Sequence, residues 1–256
     1  MPMNWMASLI IALVLVPSPE PGVTHPPAPT PTLPAIVALS IGDSLTVGID
    51  GSATASYRGE LSRLMRFTGQ PYTWQVAAAG GSKCSYWAAR IAGLIDTYHP
   101  SVIFLNCGTN DTPTDNTRAD YETMLSVATS RGVRVIASLI GIPDMRSTIN
   151  RARPYIIDWM HGTNEAIKLA LTGFPSTPVA NLERIPAHPE FLQTDGIHWT
   201  QRAEAAAGQK FYQAAIPVMG WKALSQMGLY EMCGLSGAWL GDPWPIPDVD
   251  YRVCRA

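Results

Sequence analysis

The stretch AIVALSIGDS, residues 35–44, decides the fold of this chain. Residues 35–41 are apolar or small and lie between Pro34 and Gly42, a length and composition typical of a buried strand. A tight turn then presents Ser44 just beyond the strand. We therefore predict a strand covered on both faces that delivers a serine hydroxyl at its carboxyl end.

Strand and helix patterns alternate along the rest of the domain. Four more strands are predicted, at residues 72–78, 102–107, 133–140 and 178–182. Five helices are predicted, at residues 57–67, 86–98, 118–131, 155–171 and 201–216. The last helix is expected to stop before Pro217, because proline lacks a backbone N–H. This alternation predicts an α/β fold, a parallel sheet with helices on both faces.

Composition restricts the class of protein. The chain has 256 residues, enough for one sizeable domain, and its 46% hydrophobic and 15% charged residues exclude a disordered protein. The net charge is −2 and no Lys/Arg cluster occurs, so no nucleic-acid partner is predicted. No Cys/His spacing resembles a zinc site, and neither a metal nor a cofactor is predicted.

Residues 1–16 include an apolar run at 5–16, which is shorter than the roughly 20 residues of a membrane-spanning helix. The run fits the apolar segment of a secretory signal better, so we expect a secreted or cell-envelope protein. However, no Lys or Arg precedes Arg58, so the positive start of such a signal is missing. An uncleaved anchor that ties the chain to a membrane or envelope, or a mis-assigned start, remains an alternative.

Three further segments complete the predicted organisation. Residues 17–34 contain eight prolines and are expected to form an extended linker. Residues 35–217 form the predicted catalytic domain. Residues 218–256 are expected to be a C-terminal extension packed on that domain, because so short a segment makes a poor core by itself.

Four cysteines are compatible with an oxidising compartment. Cys233 and Cys254 flank a loop-rich tail and are candidates for a disulfide. Cys107 ends an apolar strand and is expected to be a small core residue. A bridge between Cys84 and Cys107 is an alternative, because both neighbour the residues of the proposed site.

The chemistry-bearing residues lie in four short blocks, at residues 42–45, 80–82, 108–111 and 195–198. Ser44, in Gly-Asp-Ser-Leu, is the candidate nucleophile, and it needs a base to remove its proton. His198 is the candidate base, and Asp195, three residues earlier in Asp-Gly-Ile-His, is placed to orient it. The other histidines lie in the linker, before prolines in loops or within a helix pattern; they are His25, His99, His161 and His188.

Acyl chemistry also needs donors where the carbonyl oxygen becomes negative. The backbone N–H groups of Ser44 and Gly81 and the side-chain amide of Asn110 are the candidates. The first three blocks follow successive strands, and ligands of such sheets bind beyond the carboxyl ends of the strands. Donors, nucleophile and base are therefore expected to meet at one edge of the sheet.

These residues predict a serine hydrolase that cleaves an ester or similar acyl bond through an acyl-enzyme intermediate. Two alternatives remain open. The same residues could transfer the acyl group to a sugar or lipid hydroxyl, or the domain could be a catalytically inactive carbohydrate- or lipid-binding module, because fold alone does not prove activity. A lipid ester, an acetylated sugar and a small soluble ester all remain open as substrates.

From about residue 35 to 217 the chain resembles the SGNH hydrolases, also called GDSL esterases. The segments AIVALSIGDSLTVG, VIFLNCGTND and TDGIHWT carry the resemblance. It implies a flavodoxin-like three-layer α/β/α sandwich. It also implies a Ser44 nucleophile completed by Asp195 and His198, with Ser44, Gly81 and Asn110 as the oxyanion hole.

The chain departs from the family pattern at two places. The family often has Asn five residues before the block glycine, where this chain has Gln75 before Gly80 and Val76 before Gly81. Gly81 is favoured because Arg90 then falls where the family often has arginine, but Gly80 remains the alternative. After the histidine, Trp-Thr replaces the frequent Pro-Asn or Leu-Thr, and this tryptophan is expected to shape the acyl or leaving-group pocket.

Overall fold

The computed structural model describes residues 34–51, 55–143, 154–187 and 191–221. The predictions for the apolar segment 1–16, for nearly all of the linker and for the Cys233–Cys254 bridge lie outside the described residues. So does the C-terminal extension beyond residue 221. These predictions remain untested.

Five strands form one parallel sheet. They are β1 (Ile36–Gly42), β2 (Tyr72–Ala78), β3 (Val102–Asn106), β4 (Arg134–Leu139) and β5 (Val179–Asn181). Their order across the sheet is β2-β1-β3-β4-β5, and each neighbouring pair is parallel. This is the flavodoxin-like order, in which chain direction across the sheet switches between β1 and β3. The predicted α/β fold with a parallel sheet is confirmed.

Helices cover both faces of this sheet. They are α1 (Ser44–Val47), α2 (Tyr57–Arg66), α3 (Cys84–Ala88), α4 (Ile91–Tyr98), α5 (Thr117–Ser130), α6 (Pro154–Thr172) and α7 (Gln201–Met219). Successive strand residues point to opposite faces. In β3, Phe104 packs with α2 and α7, whereas Leu105 packs with the helices of the other face. Two apolar cores therefore sandwich the sheet, and its central strands β1, β3 and β4 are buried almost throughout, whereas the edge strands β2 and β5 are partly exposed.

The predicted helix 86–98 is two helices, so this prediction is wrong in detail. The two helices meet in a turn at residues 89 and 90, where the Arg90 N–H donates to the Trp87 carbonyl three residues back. Trp87 before the turn and Ile91 after it are both buried, at 3% and 2% exposure. A continuous apolar pattern does not reveal such a break.

The last helix does not stop before Pro217 but continues to Met219. The apolar residues around this proline pack against the core, which offsets the one helix hydrogen bond that proline cannot donate. The helix ends at Gly220, which has a φ of 68° and donates its N–H to the Ile216 carbonyl. That is the usual left-handed glycine termination.

Candidate active site

The turn after β1 fixes the position of Ser44. A Cβ atom at Gly42 would lie 2.1 Å from the Asn106 carbonyl oxygen and 2.2 Å from Oγ1 of Thr46, so only glycine fits where β1 passes β3. Asp43 then caps α1 by accepting a 3.0 Å hydrogen bond from the Leu45 N–H. Ser44 is the first residue of that helix, so its own N–H has no intrahelical acceptor.

Asp43, to which the sequence pattern gave no role, is fully buried next to the nucleophile. Burial raises the pKa of Asp43 to about 6, although hydrogen bonding from Leu45 and the charge of His198 act in the opposite direction. The side chain of Thr109 also interacts with this carboxylate and lowers its pKa. A cap residue directly before the nucleophile is the sequence signal that could have identified it.

A short loop holds Asp195 and His198. The Gln193 N–H donates to the His198 carbonyl at 2.8 Å, and Leu192 forms an antiparallel bridge with Trp199. Oδ1 of Asp195 accepts the backbone N–H groups of both Ile197 and His198, each at 3.0 Å. The loop is therefore folded around the carboxylate, which leaves its other oxygen for the histidine ring.

The three predicted residues form one hydrogen-bonded row. Oδ2 of Asp195 lies 2.5 Å from Nδ1 of His198, and Nε2 of the same ring lies 2.9 Å from Oγ of Ser44. An ionised carboxylate only accepts hydrogen bonds, so Nδ1 carries the proton and donates it. Nε2 is then the unprotonated atom that accepts the Ser44 hydroxyl. This is the arrangement that general-base activation of a serine requires.

The histidine and the carboxylate of the row are both partly exposed to solvent. The side chains of His198 and Asp195 are 41% and 48% exposed. Desolvation alone would raise the pKa of Asp195, but the hydrogen bonds from His198 and Ile197 outweigh it, and the pKa lies below its usual value. The carboxylate is therefore ionised throughout the neutral range and can stabilise an imidazolium.

The turn after β2 contains Gly81 and is bonded to the end of β1. Ala79 donates its N–H to the Gly42 carbonyl at 3.0 Å, next to the nucleophile, and Ser82 closes the turn by donating to Ala79 at 3.2 Å. Gly81 has a φ of 72°, a conformation that favours glycine, whereas Gly80 has no such requirement. Within the described residues, no backbone carbonyl accepts the Gly81 N–H.

Asn110 reaches the same turn from the end of β3. Its Nδ2 donates one hydrogen bond to the Ser82 carbonyl at 3.1 Å. An amide nitrogen has two hydrogens, so one remains for a ligand. The structure thus joins Ser44, His198 and Asp195 in one row, and it places the Asn110 amide against the turn that contains Gly81.

Of the two interpretations of Cys107, the structure has the alternative one, a disulfide with Cys84. Cys84 and Cys107 form a disulfide, so Cys107 is not a free core thiol, although both residues are completely buried. The Cys84 N–H donates to Oδ1 of Asp111 at 3.0 Å, and Oδ2 of this buried aspartate accepts the Thr117 hydroxyl at 2.6 Å. Asp111 was also missed, because a lone aspartate after a glycine block carries no distinctive spacing.

Trp199 does not line a pocket as expected. It is 1% exposed and belongs to the apolar core together with Phe191 and Leu192. A Cβ added to Gly141 would lie 3.2 Å from its ring, so the tryptophan packs closely on the end of the β4 segment. Its role is to support the loop that carries His198.

Across the described ranges, no group of three or more His, Cys, Asp or Glu side chains is arranged to hold a metal ion. Within the same ranges, none of the helices has the length and apolar character needed to cross a membrane.

The parallel sheet and the Ser44–His198–Asp195 row define an α/β protein of the serine hydrolase class. The chain belongs to the GDSL-like lipase/acylhydrolase family, whose family model matches residues 40–206, and it is accordingly an ester-hydrolysing enzyme. The resemblance inferred from the sequence blocks is thereby confirmed. Among curated proteins, no match was found.

Solved structures share the fold. TesA is 18% identical, with a TM-score of 0.60 over 71% of this chain and 99% of that one. A family 3 carbohydrate esterase of Clostridium thermocellum is 17% identical, with a TM-score of 0.59 over 73% and 98% of the two chains. A lipase/acylhydrolase from Enterococcus faecalis is 21% identical, with a TM-score of 0.57 over 72% and 96%. At these identities the likeness establishes the fold alone.

Proposed function

We propose that this enzyme is a carboxylesterase that works through an acyl-enzyme intermediate on Ser44. The single observation that carries the proposal is the hydrogen-bonded row, with His198 2.9 Å from the serine and 2.5 Å from Asp195. A row of this kind activates a hydroxyl that is otherwise a weak nucleophile at neutral pH.

In the acylation half, Oγ of Ser44 attacks the ester carbonyl carbon while Nε2 of His198 takes the hydroxyl proton. Asp195 stabilises the imidazolium that forms and keeps the ring in the required tautomer. When the tetrahedral intermediate collapses, the bond to the alcohol oxygen breaks and the imidazolium returns its proton to that oxygen. The products are the free alcohol and an ester of Ser44.

In the deacylation half, water replaces the alcohol. His198 takes a proton from water as the hydroxide attacks the acyl carbon, and it then protonates Oγ of Ser44 as the acid leaves. The sum is ester plus water giving acid plus alcohol, with the enzyme regenerated. No cofactor enters either half.

The negative oxygen of each tetrahedral intermediate is proposed to lie among three donors. The N–H groups of Ser44 and Gly81 have no backbone acceptor among the described residues, and Asn110 retains one amide hydrogen. The hydrogen bond from Asn110 to the Ser82 carbonyl supports this assignment, because it holds the amide against the Gly81 turn. Removing one such donor typically lowers kcat about 10²–10³-fold.

The proposed substrates are carboxylic esters, with a lipid ester, an acetylated sugar and a small soluble ester as the classes to compare. Fold relatives described as a carbohydrate esterase and as a lipase/acylhydrolase make both polymer-linked and lipid esters reasonable first choices. A panel of p-nitrophenyl esters from acetate to palmitate, together with an acetylated xylan, separates these classes by kcat/KM.

The decisive experiment measures p-nitrophenyl acetate turnover and covalent labelling by a fluorophosphonate probe. The probe phosphonylates an activated serine with loss of fluoride, so intact-mass measurement and peptide mapping are expected to find the label on Ser44. Ser44→Ala is expected to remove both labelling and turnover. Ser130→Ala, an exposed serine on α5, serves as the matched control. Unchanged turnover by the Ser44→Ala variant would rule out the proposal.

We also propose that the enzyme acts outside the cytoplasm, either secreted or held at the envelope. The apolar run at residues 5–16 and the Cys84–Cys107 disulfide support this location, since structural disulfides are rare in the cytosol. A fusion of residues 1–34 to a reporter that is active only after export tests it. A reporter that is recovered only in the cytoplasmic fraction, and is inactive there, would contradict the proposal.

A further inference from the structure

Two of the three proposed oxyanion-hole donors, the Gly81 N–H and the Asn110 amide, come from loops whose preceding strands are not neighbours in the sheet. Gly81 lies in the loop 79–84, which runs from the end of β2 to the first residue of α3, and Asn110 lies in the loop 107–116 after β3. Strand β1 separates β2 from β3, so no ladder of backbone hydrogen bonds fixes the distance between the two loops. The first loop is bonded to β1 through the Gly42 carbonyl, and beyond that bond the distance depends on contacts between the loops themselves.

A covalent link joins the loops at their bases. Cys84 ends the first loop, Cys107 begins the second, and both are 0% exposed. Directly beside the bridge, the Cys84 N–H donates to the buried carboxylate of Asp111 at 3.0 Å. The disulfide is thus three residues from each proposed donor, from Gly81 on one side and from Asn110 on the other.

The remaining contacts between the loops are weaker. Asn110 donates to the Ser82 carbonyl at 3.1 Å. Lys83 and Asp115 form a 2.7 Å ion pair, but their side chains are 41% and 19% exposed, so water screens it. The disulfide is the contact that neither solvent nor side-chain rotation can open.

We propose that the Cys84–Cys107 disulfide is a positioning element of the oxyanion hole, which holds the Gly81 turn and the Asn110 amide at the separation that the developing oxyanion needs. This inference rests on the proposed function, because it assigns the bridge to the same site. Preorganised donors lose much of their effect when they shift by about 1 Å, which can cost up to about 10²-fold in rate. The bridge is therefore expected to affect kcat more than KM.

The first test removes the bridge by Cys84→Ala together with Cys107→Ala. On p-nitrophenyl acetate, well below the melting temperature, kcat is expected to fall about 10- to 100-fold while KM changes less than about threefold. Peptide mapping of the parent protein under non-reducing conditions must first recover the 84–107 bridge. A kcat within twofold of the parent, or a map without this bridge, would overturn the proposal.

A double-mutant cycle separates positioning from mere stabilisation. In an Asn110→Ala background one of the positioned donors is absent, so removing the bridge is expected to lower kcat much less than in the parent. A bridge that only stabilises the fold would lower kcat by the same factor in both backgrounds. Leu125→Ala, a truncation in the same apolar cluster but on α5, lowers the melting temperature and is expected to keep kcat within twofold.

One readout does not depend on ester turnover. Amide hydrogen exchange is expected to accelerate in loops 79–84 and 107–116 of the double alanine variant and to stay unchanged in α7. If the parent lacks Ser44-dependent turnover, the proposed function fails whatever the bridge does. If turnover is present but exchange in the two loops is unaltered, the positioning role fails and the proposed function stands.

Discussion

Nε2 of His198 lies 2.9 Å from Oγ of Ser44, although the two residues are 154 positions apart in the chain. Strand β1 delivers the serine, and a loop just before α7 delivers the histidine. The contact is made across the carboxyl edge of the sheet, at the switch point between β1 and β3 where ligands of such sheets bind. The following predictions depend on this relationship and on the residues around it.

Asp195→Asn is expected to lower kcat between about 10-fold and 10³-fold. The amide can present its NH₂ group to Nδ1 and so favour the tautomer that cannot accept the Ser44 proton, a change that costs about 10⁴-fold in a buried triad. The loss should be smaller here, because the side chain of Asp195 is 48% exposed and water can take over part of its role. Steady-state kinetics at pH 7.5, with exposed Asp158→Asn as control, test this, and an unchanged kcat would contradict it.

Asn110→Ala is expected to lower kcat about 10²–10³-fold with little change in KM, since the oxyanion exists only in the transition state and intermediates. The variant also loses the hydrogen bond to the Ser82 carbonyl, so its melting temperature should be compared with that of the parent. Fluorophosphonate labelling should slow in parallel. A variant with raised KM and normal kcat would instead place Asn110 in ground-state binding.

Gly81→Ala is expected to reduce kcat more than Gly80→Ala. An added Cβ meets no atom within 4 Å at either glycine, so the two positions differ in backbone conformation and not in space. Gly81 has a φ of 72°, so an alanine there must either hold a strained conformation or turn its N–H away. The cost of the strained conformation is about 1 kcal/mol. Parallel kinetics of the two variants decide between the glycines, and the reverse order would assign the donor to Gly80.

Gly42→Ala is expected to destabilise the protein by more than about 3 kcal/mol or to prevent folding, because the added Cβ would lie 2.1 Å from the backbone oxygen of Asn106, which cannot move without opening the sheet. Gly93→Ala is the matched control, since its Cβ meets nothing within 4 Å and alanine favours the helix. Urea denaturation of both variants gives the comparison. Equal stabilities would contradict the close approach of β1 and β3.

Glu204→Gln is expected to make the protein more stable at alkaline pH. Burial raises the pKa of Glu204 to about 8 from an unfolded value near 4.5, so between these values the folded state binds more protons than the unfolded state. Stability therefore falls as pH rises through this window, by an amount on the order of 1–4 kcal/mol. Glutamine removes that loss and can still accept the Tyr57 N–H, which bonds Glu204 at 2.8 Å.

Melting temperatures at about pH 5 and pH 9 check this prediction. The glutamine variant and the parent should differ little at the lower pH, and the variant should melt higher at the upper one. Glu122→Gln, a surface residue paired with Arg118, is the control and should leave the pH dependence unchanged. A parent whose stability is flat across this window would contradict the raised pKa.

Local patterns predicted a large part of the fold. Short apolar runs and the turn residues that bound them predicted all five described strands. The signal was clearest for β1, β3 and β4, because strands buried on both faces must be apolar nearly throughout. The break at Arg90 and the helix through Pro217 were missed for one reason: both are decided by packing against the core, which outweighs local preference.

The candidate site could be predicted because its chemistry needs particular side chains at strand ends. The Asp195–His198 spacing and the positions of Ser44 and Asn110 after predicted strands can be read directly from the sequence. The roles of Asp43 and Asp111 were not visible, because a buried carboxylate is defined by what surrounds it rather than by its neighbours in sequence. The choice of the Cys84–Cys107 bridge was undecided for a similar reason, since several pairings are compatible with four cysteines.

By itself, the order of residues determined the class of fold and the identity of the reacting groups, because periodicity and residue type are properties of the chain. Only the tertiary structure decided the distances: which imidazole reaches the Ser44 hydroxyl, which cysteines meet, and that Trp199 supports its loop from inside the core. These depend on strand order and on the packing of two cores, and both arise from contacts between residues far apart in the chain.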